Sequence, residues 1–236
     1  MQNSESIYEG KAKTLLTTDD EGILIQRFKN SATAFNGVKK AEFPGKGELN
    51  NAVSTYLFEK LEAAGIPTHF IARPSTTDMR IRRLQIIPLE MVVRNVVAGS
   101  LQKRTGLEEG TELKSPIVET YYKRDELNDP IFADTHVYMM GILSEEELDQ
   151  TKALSLKINE VLVPIFREAG IRLVDFKLEF GTDDDGKLVL GDEISPDTCR
   201  LWDFETRQKL DKDVFRADLG DLMEAYHEVA HRLGLE

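Results

Sequence analysis

In Leu173-Val174-Asp175-Phe176-Lys177-Leu178-Glu179-Phe180-Gly181, Val174, Phe176, Leu178 and Phe180 fall on one face of a strand, and Asp175, Lys177 and Glu179 on the other. Thr182-Asp183-Asp184-Asp185-Gly186-Lys187 then supplies turn chemistry, and Leu188-Val189-Leu190 resumes as a short apolar strand. The whole reads as a β-hairpin. Past it, Gly191-Asp192-Glu193-Ile194-Ser195-Pro196-Asp197-Thr198-Cys199-Arg200 continues to carry charge. Pairing across the hairpin brings the Glu179 and Asp192 carboxylates to one side, beside a lysine. Two converging carboxylates next to fixed cations suit a divalent metal that carries phosphate oxygens. The competing reading is a solvated sheet face with ordinary ion pairs. An EF-hand calcium loop is rejected: Asp183, Asp185 and Gly186 keep its register, but Gly181 takes the first ligand position, Asp192 replaces the closing Glu, and the flanks are strands.

Around this hairpin lie 236 residues, enough for one domain or two closely joined ones with a substantial core. Apolar content of 41% and charged content of 31% are ordinary for a soluble globular enzyme. A formal net charge of −12 argues against a general binder of nucleic acid or anionic membrane, so a phosphate site must be a local basic pocket in an acidic shell. Cys199, the only cysteine, excludes an intramolecular disulfide and a multi-cysteine zinc site. With no signal peptide and no apolar run of about eighteen residues, the expected location is the cytoplasm.

Upstream, Ile7-Tyr8-Glu9-Gly10-Lys11-Ala12-Lys13-Thr14-Leu15-Leu16 reads as strand, glycine turn, strand, with Ile23 to Phe28 as the next antiparallel strand. Gly10 lets backbone approach a ligand, and Lys11 and Lys13 project from one face, so the segment is a candidate triphosphate lid. It is not a Walker loop, which occurs nowhere in the chain. A helix follows over about 47–64 (Leu49, Val53, Tyr56, Leu57 and Leu61 at helical spacing), closed by Gly65 and Pro67. Strands return at 68–73 and 79–84, and Arg82, Arg83 and Gln85 line either a nucleotide edge or an exposed strand face.

Ile86 to Ser100 is a largely apolar strand in which Glu90 and Arg94 share a face. Buried charge costs several kcal/mol unless paired, so it needs a purpose there. Gly99-Ser100 opens a short helix through Arg104, ended by Gly106. A hydroxyl and free N–H groups at a helix start near Arg94 form a phosphate pocket; the alternative is an internal Glu90–Arg94 bridge with Ser100 as a plain N-cap. Residues 105–141 read as loop, with Lys123 and an Asn128-Asp129-Pro130 turn. Ser144-Glu145-Glu146-Glu147 is a capping box opening a long helix that Pro164 should kink or divide and Gly170 ends. A last helix runs over about 213–233, with Leu219, Leu222, Met223, Tyr226, Ala230 and Leu233 as its buried stripe. His227-Glu228-Val229-Ala230-His231 matches the zinc-protease string, the rival reading being a metal-dependent hydrolase. Too little chain follows to supply a third ligand, and both histidines fall on the helix flank, towards solvent.

Taken together, Ile86 to Ser100 and Leu173 to Gly181 resemble the two signature segments of the SAICAR synthetase (phosphoribosylaminoimidazole-succinocarboxamide synthase) family. Tyr8-Glu9-Gly10-Lys11-Ala12-Lys13 is similar to its N-terminal phosphate loop, and Gly191 to Arg200 to its substrate loop. The likeness spans nearly the whole chain, in the short single-function form. It implies an α+β fold: an N-terminal antiparallel sheet with one helix over ATP (1–85), a larger α/β part for substrate and metal (86–236), and the site in the cleft between them. It implies a carbon–nitrogen ligase in which ATP phosphorylates the carboxylate of 5-amino-1-(5-phosphoribosyl)imidazole-4-carboxylate, and the amine of L-aspartate displaces phosphate. Such chemistry needs positioning and charge neutralisation more than a strong nucleophile. By this resemblance Gly10, Lys11, Ala12, Lys13 and Lys123 hold the triphosphate, with adenine against Arg82, Leu84 and Ile86. Glu179 and Asp192 carry Mg²⁺ with ATP, and Glu90 and Asp129 a second ion at the imidazole carboxylate. Arg94, Ser100 and Arg200 bind the ribotide 5′-phosphate. Asp175 and Lys177 face the ribose and the reacting carboxylate, and Asp197 the aspartate or imidazole end. A homodimer, with neither nucleic acid nor membrane as partner, completes what the family implies.

Overall fold

A computed structural model describes residues 5–34 and 39–236. In chain order the first part holds β1 (Ser6–Glu9), β2 (Lys13–Thr17), β3 (Ile23–Phe28), β4 (Ser31–Ala34), β5 (Lys39–Glu42), α1 (Lys46–Ala63), β6 (Phe70–Ala72) and β7 (Asp78–Arg82). Five of these strands form an antiparallel sheet ordered β1-β2-β3-β7-β6, and β4 and β5 pair as a separate ribbon. The second part holds β8 (Gln85–Val96), α2 (Gly99–Thr105), β9 (Glu112–Tyr122), β10 (Ile131–Phe132), α3 (Asp134–Met139), α4 (Glu145–Glu168), β11 (Ile171–Thr182), β12 (Leu188–Gly191), β13 (Cys199–Asp203), α5 (Asp213–Arg216) and α6 (Leu222–Arg232). Its sheet runs β10-β9-β8-β11, with β12 and β13 both paired to β11, all antiparallel. This mixed antiparallel architecture is the α+β class the sequence implied. Among the described residues no helix is long and apolar enough to cross a membrane.

One hydrophobic cluster runs through both sheets, from Leu24 and Phe28 through Val53, Leu57 and Phe58 of α1 to Leu89, Met91, Phe176, Leu178 and Phe180. α4 closes it with Leu148, Ile158, Leu162 and Phe166. Truncating a fully buried Phe such as Phe176 to Ala would cost about 3–5 kcal/mol. The hairpin β11–β12 forms as expected, but its alternation slips once. The β11–β13 register shifts between Leu173 and Asp175, and this bulge leaves Val174 packed with Val96, Ala98 and Trp202 while Ile171 and Leu173 join the main core.

Three expectations need correction. Residues 105–141 are not loop: they contain β9, β10 and α3. β9 is about half exposed and carries Pro116, next to where its ladder with β8 jumps from Arg94↔Ile117 to Val96↔Glu112, so it lacks both the apolar alternation and the unbroken donors that mark a strand. Pro164 does not divide α4, which runs unbroken to Glu168 behind the expected Ser144–Glu147 capping box. The last helix is two, α5 and α6. Asp218 and Gly220 have positive φ between them, Asp221 caps α6, and Leu219 is exposed rather than part of the buried stripe.

Candidate functional site

Antiparallel pairing lays the charged face of β11 across its neighbours in rows. Asp175 lies opposite Arg94 of β8 on one side and Arg200 of β13 on the other; Glu179 lies opposite Glu90 on one side and Gly191 on the other, one residue before Asp192. These rows floor an open cleft of about 1530 Å³ between the two sheets. All the residues to which the family resemblance gave a role border it: Gly10, Lys11, Ala12, Lys13, Arg82, Leu84, Ile86, Glu90, Arg94, Ser100, Lys123, Asp129, Asp175, Lys177, Glu179, Asp192, Asp197 and Arg200. Arg83 and Gln85 do not; period-two alternation turns them outward, and Arg83 donates to the Glu21 carbonyl at 2.7 Å.

At one end the β1–β2 turn is closed by Gly10 N–H donating to the Lys13 carbonyl at 2.8 Å. A Cβ on Gly10 would stand 2.9 Å from the exposed Tyr8 ring, which packs beside the Gly10 Cα and would have to swing aside. Lys11 is exposed and reaches Asp125 at 2.7 Å across the cleft. Lys13 points inward to Asp192 and lies 3.3 Å from Glu193. Burial opposes its charge, but Asp192, Glu193 and Glu179 outweigh that and raise its pKa. The converse holds for Asp192: burial alone would raise its carboxyl, and Lys13 and Lys177 hold it well below the usual range. Asp192 has φ 64, and its carbonyl accepts from the buried Gln26 side chain at 3.2 Å. The adjacent wall is apolar (Leu24, Ile81, Leu84, Ile86) and includes buried His69, whose ring nitrogens meet no hydrogen-bond criterion among the described residues. Burial, with Lys13 and Arg82 as like charges, drives this imidazole down to about 3, so it is neutral.

In the middle, Lys177 Nζ lies 2.8 Å from Glu90 and 3.2 Å from Glu179, which also meets Lys123. Burial pushes Glu90 up against the pull of Lys177. For Lys177, burial is outweighed by Glu179 and Glu90, and its pKa rises. Glu179 is buried, so the competing reading of a solvated sheet face does not survive. Three lysines (13, 123, 177) here face four carboxylates (90, 179, 192, 193), a surplus of anionic oxygen next to the lid. That donor set fits Mg²⁺, which takes one or two carboxylates and completes its shell with phosphate and water. Among the described residues no group of three or more ligating side chains is preassembled. Asp129 borders the cleft, but its carboxylate accepts from Arg124 N–H at 2.8 Å.

At the far end Arg94, 2% exposed, donates to Glu119 (2.7 Å), Asp175 (2.8 Å), Ser100 (2.9 Å) and Tyr121 (3.1 Å). A Glu90–Arg94 bridge is therefore not formed. Nor is Ser100 an N-cap, since α2 is capped at Ala98 without a side-chain bond. Arg200 lies 2.9 Å from Asp175 and 2.8 Å from Asp213, and its guanidinium packs on Gly99, where a Cβ would come within 2.6 Å. Gly99 also has φ 54, so the position demands glycine twice over. The Asp197 side chain is enclosed by Lys46 (2.6 Å), the Tyr226 hydroxyl and, at 3.8 Å, Lys212.

Sequence reading missed Lys46, Lys212, Glu119, Tyr121, Gln26 and His69. Lys46 falls one residue before the helix expected over 47–64, Gln26 is one polar residue in an expected strand, and β9, which carries Glu119 and Tyr121, has no local strand signal; only tertiary packing gives these residues neighbours. The decoy histidines, His227 and His231, are exposed on the α6 flank, and His227 pairs with Glu236.

Comparison with known proteins converges on one group. The family model described as SAICAR synthetase matches residues 6–233. The phosphoribosylaminoimidazole-succinocarboxamide synthase of Bacillus subtilis (strain 168) is 54% identical over 231 residues, 98% of this chain and 96% of that protein. The crystal structure of the Ehrlichia chaffeensis synthase superposes with a TM-score of 0.96 at 48% identity, covering 98% of this chain and 99% of that one. A SAICAR synthetase in complex with ADP does so at 0.95 and 53%, covering 97% of each. With a full-length family match, relatives above half identity and the same fold throughout, this chain belongs to the SAICAR synthetase family.

Proposed function

We propose that this chain is the ATP-dependent carbon–nitrogen ligase that joins L-aspartate to the carboxylate of 5-amino-1-(5-phosphoribosyl)imidazole-4-carboxylate, giving the succinocarboxamide, ADP and phosphate in purine biosynthesis. The observation that carries this reading is the order along the cleft: a lysine lid, then interleaved lysines and carboxylates on β8 and β11, then a guanidinium pair sharing Asp175. That order suits a triphosphate, a carboxylate to be activated and a second phosphate lying in line.

In this reading residues 1–85 cover ATP and 86–236 hold the acceptor. Lys11, Lys13 and Lys123 neutralise the triphosphate beside the Gly10–Ala12 turn, and adenine lies against Arg82, Leu84 and Ile86. Glu179 and Asp192 would hold Mg²⁺, with Glu90 and Asp129 the candidates for a second ion, and the metal would supply charge neutralisation between phosphate oxygens. Lys177, already charged between Glu90 and Glu179, orients the acceptor carboxylate so that its oxygen faces the γ-phosphoryl group. Arg94, Ser100 and Arg200 hold the ribotide phosphate, Asp175 orients both guanidiniums, and Asp197 shapes the remaining end. We take the setting to be cytoplasmic and the assembly a homodimer. ADP release assayed with ATP alone and with each co-substrate added tests the reading: release should need both the ribotide and aspartate. Equal release with either one omitted would overturn it.

A further inference from the structure

The wall carrying Arg200 holds a cation with no role in the scheme above. Lys212 borders the cleft, is 8% exposed, and is fastened over the Asp192–Arg200 loop by its backbone N–H, which donates to the Pro196 carbonyl at 3.3 Å. Its Nζ stands 3.8 Å from Asp197 Oδ2, outside hydrogen-bond distance, and among the described residues it has no closer charge partner. Asp197 is already satisfied by Lys46 at 2.6 Å and by the Tyr226 hydroxyl. Two ammonium groups therefore share one carboxylate, and Lys212 keeps its donors unspent. Arg216, one turn on, also borders the cleft, with Asp213 at 2.6 Å as its partner.

A nearly buried ammonium without an acceptor is unfavourable until an anion reaches it. Burial moves Lys212 below the ordinary lysine range; the pull of Asp197 does not outweigh it, and Lys46 and Arg216 add to it as like charges. The other anionic groups of the reaction have their own cations: Lys13 at the lid and the Arg94–Arg200 pair at the far end. The loop beneath Lys212 links the two. Asp197 N–H donates to Ser195 Oγ at 3.1 Å, Ser195 donates to Glu193 at 2.6 Å, and Glu193 faces Lys13.

We propose that Lys212, with Arg216 beside it, is the subsite that holds a carboxylate of the dicarboxylic amine co-substrate, an inference that rests on the ligase reading. Its role is to bind and orient, so that the amine faces the activated carboxylate. Lys212→Met and Lys212→Arg in the full chain test it, with succinate (the dicarboxylate without the amine) as probe. Lys212→Met should raise the KM for aspartate tenfold or more, with the KM for ATP and for ribotide changed less than twofold. Lys212→Arg should recover most of the loss. Succinate should compete with aspartate in the wild type and lose most of its inhibition in Lys212→Met. Asp197 keeps Lys46 and Tyr226 in both variants, so the fold should hold. Independently of any variant, succinate should protect Lys212 of the wild-type protein from reductive methylation, read by mass spectrometry. An unmoved aspartate KM, a raised ribotide KM in its place, or no protection by succinate overturns the subsite. Absence of aspartate-dependent ADP release in the wild type overturns the ligase reading itself, which separates the two failures.

Discussion

Arg94→Ala should destabilise the ligand-free protein far more than Arg200→Ala, although both guanidiniums hold Asp175. Arg94 is 2% exposed and donates to two carboxylates, a serine and a tyrosine. Its removal leaves Asp175 to Arg200 alone and Glu119 to Arg104 and Tyr121. Arg94→Ala loses two charge-assisted bonds and two neutral ones in a buried site, which together cost about 3–5 kcal/mol even with those partners left. Arg200 is more exposed, and without it Asp175 keeps Arg94 and Asp213 keeps Arg216, so its loss should cost about 1–2 kcal/mol. In a chain of this size each kcal/mol moves Tm by roughly 2–4 °C, so Arg94→Ala should melt roughly 6–20 °C lower than wild type. Urea titration with the slope m checked for constancy is the assay. The difference should also depend on pH. Burial alone would raise Glu119, but Arg104 and Arg94 hold it below the usual range, so its contribution is present above the unfolded carboxylate pKa and fades as pH falls through the folded one. The gap between wild type and Arg94→Ala should therefore narrow in acid. Equal losses for the two arginines, or a loss below about 1 kcal/mol for Arg94→Ala, would refute the reasoning.

Asp192→Asn and Glu179→Gln should each nearly abolish ATP turnover; near wild-type turnover at low Mg²⁺ in either would remove these residues from the metal site. Lys13→Ala, which unpairs Asp192 and Glu193, should weaken ATP binding more than Lys11→Ala, whose side chain meets the exposed Asp125; calorimetric ADP titration gives the order, and the reverse order contradicts it. Burial and neighbouring Asp213 push the Asp211 carboxyl up from 3.8 to about 7. A raised folded pKa means stability present at low pH and lost as pH rises from about 4 to about 7, so Asp211→Asn should flatten that decline in the unfolding free energy; an unchanged slope argues against it. Replacing His227 and His231 together with Gln should leave turnover, stability and background zinc content unchanged, and loss of bound zinc together with activity would restore the hydrolase reading.

Local chemistry was enough for the elements that announce themselves. The β11–β12 hairpin, the capping box of α4 and the Gly99–Gly106 helix were legible because their signals lie within a few residues: alternation, turn residues, a reciprocal Ser–Glu cap, a helix-ending glycine. β9 was not, because a half-exposed strand with a proline has no local signature and exists only through its ladder with β8. The α5–α6 break was read through, since the buried stripe of one helix continues in register into the next.

The residue types along the cleft could be named from sequence, and the bulk of them border one cavity. Their partners could not. Sequence spacing suggested Glu90 with Arg94; strand pairing instead gave Glu90 to Lys177 and Arg94 to Asp175 and Glu119. Lys46, the residue just before the helix expected over 47–64, is wholly buried and faces an aspartate from a distant loop. A charged side chain is placed by whichever opposite charge shares its low-dielectric surroundings, and that neighbour comes from another strand or loop far along the chain. Sequence alone therefore determined which chemical groups this protein carries and the local segments that hold them. Only the tertiary structure decided which charges neutralise one another and which, like Lys212, remain for a ligand.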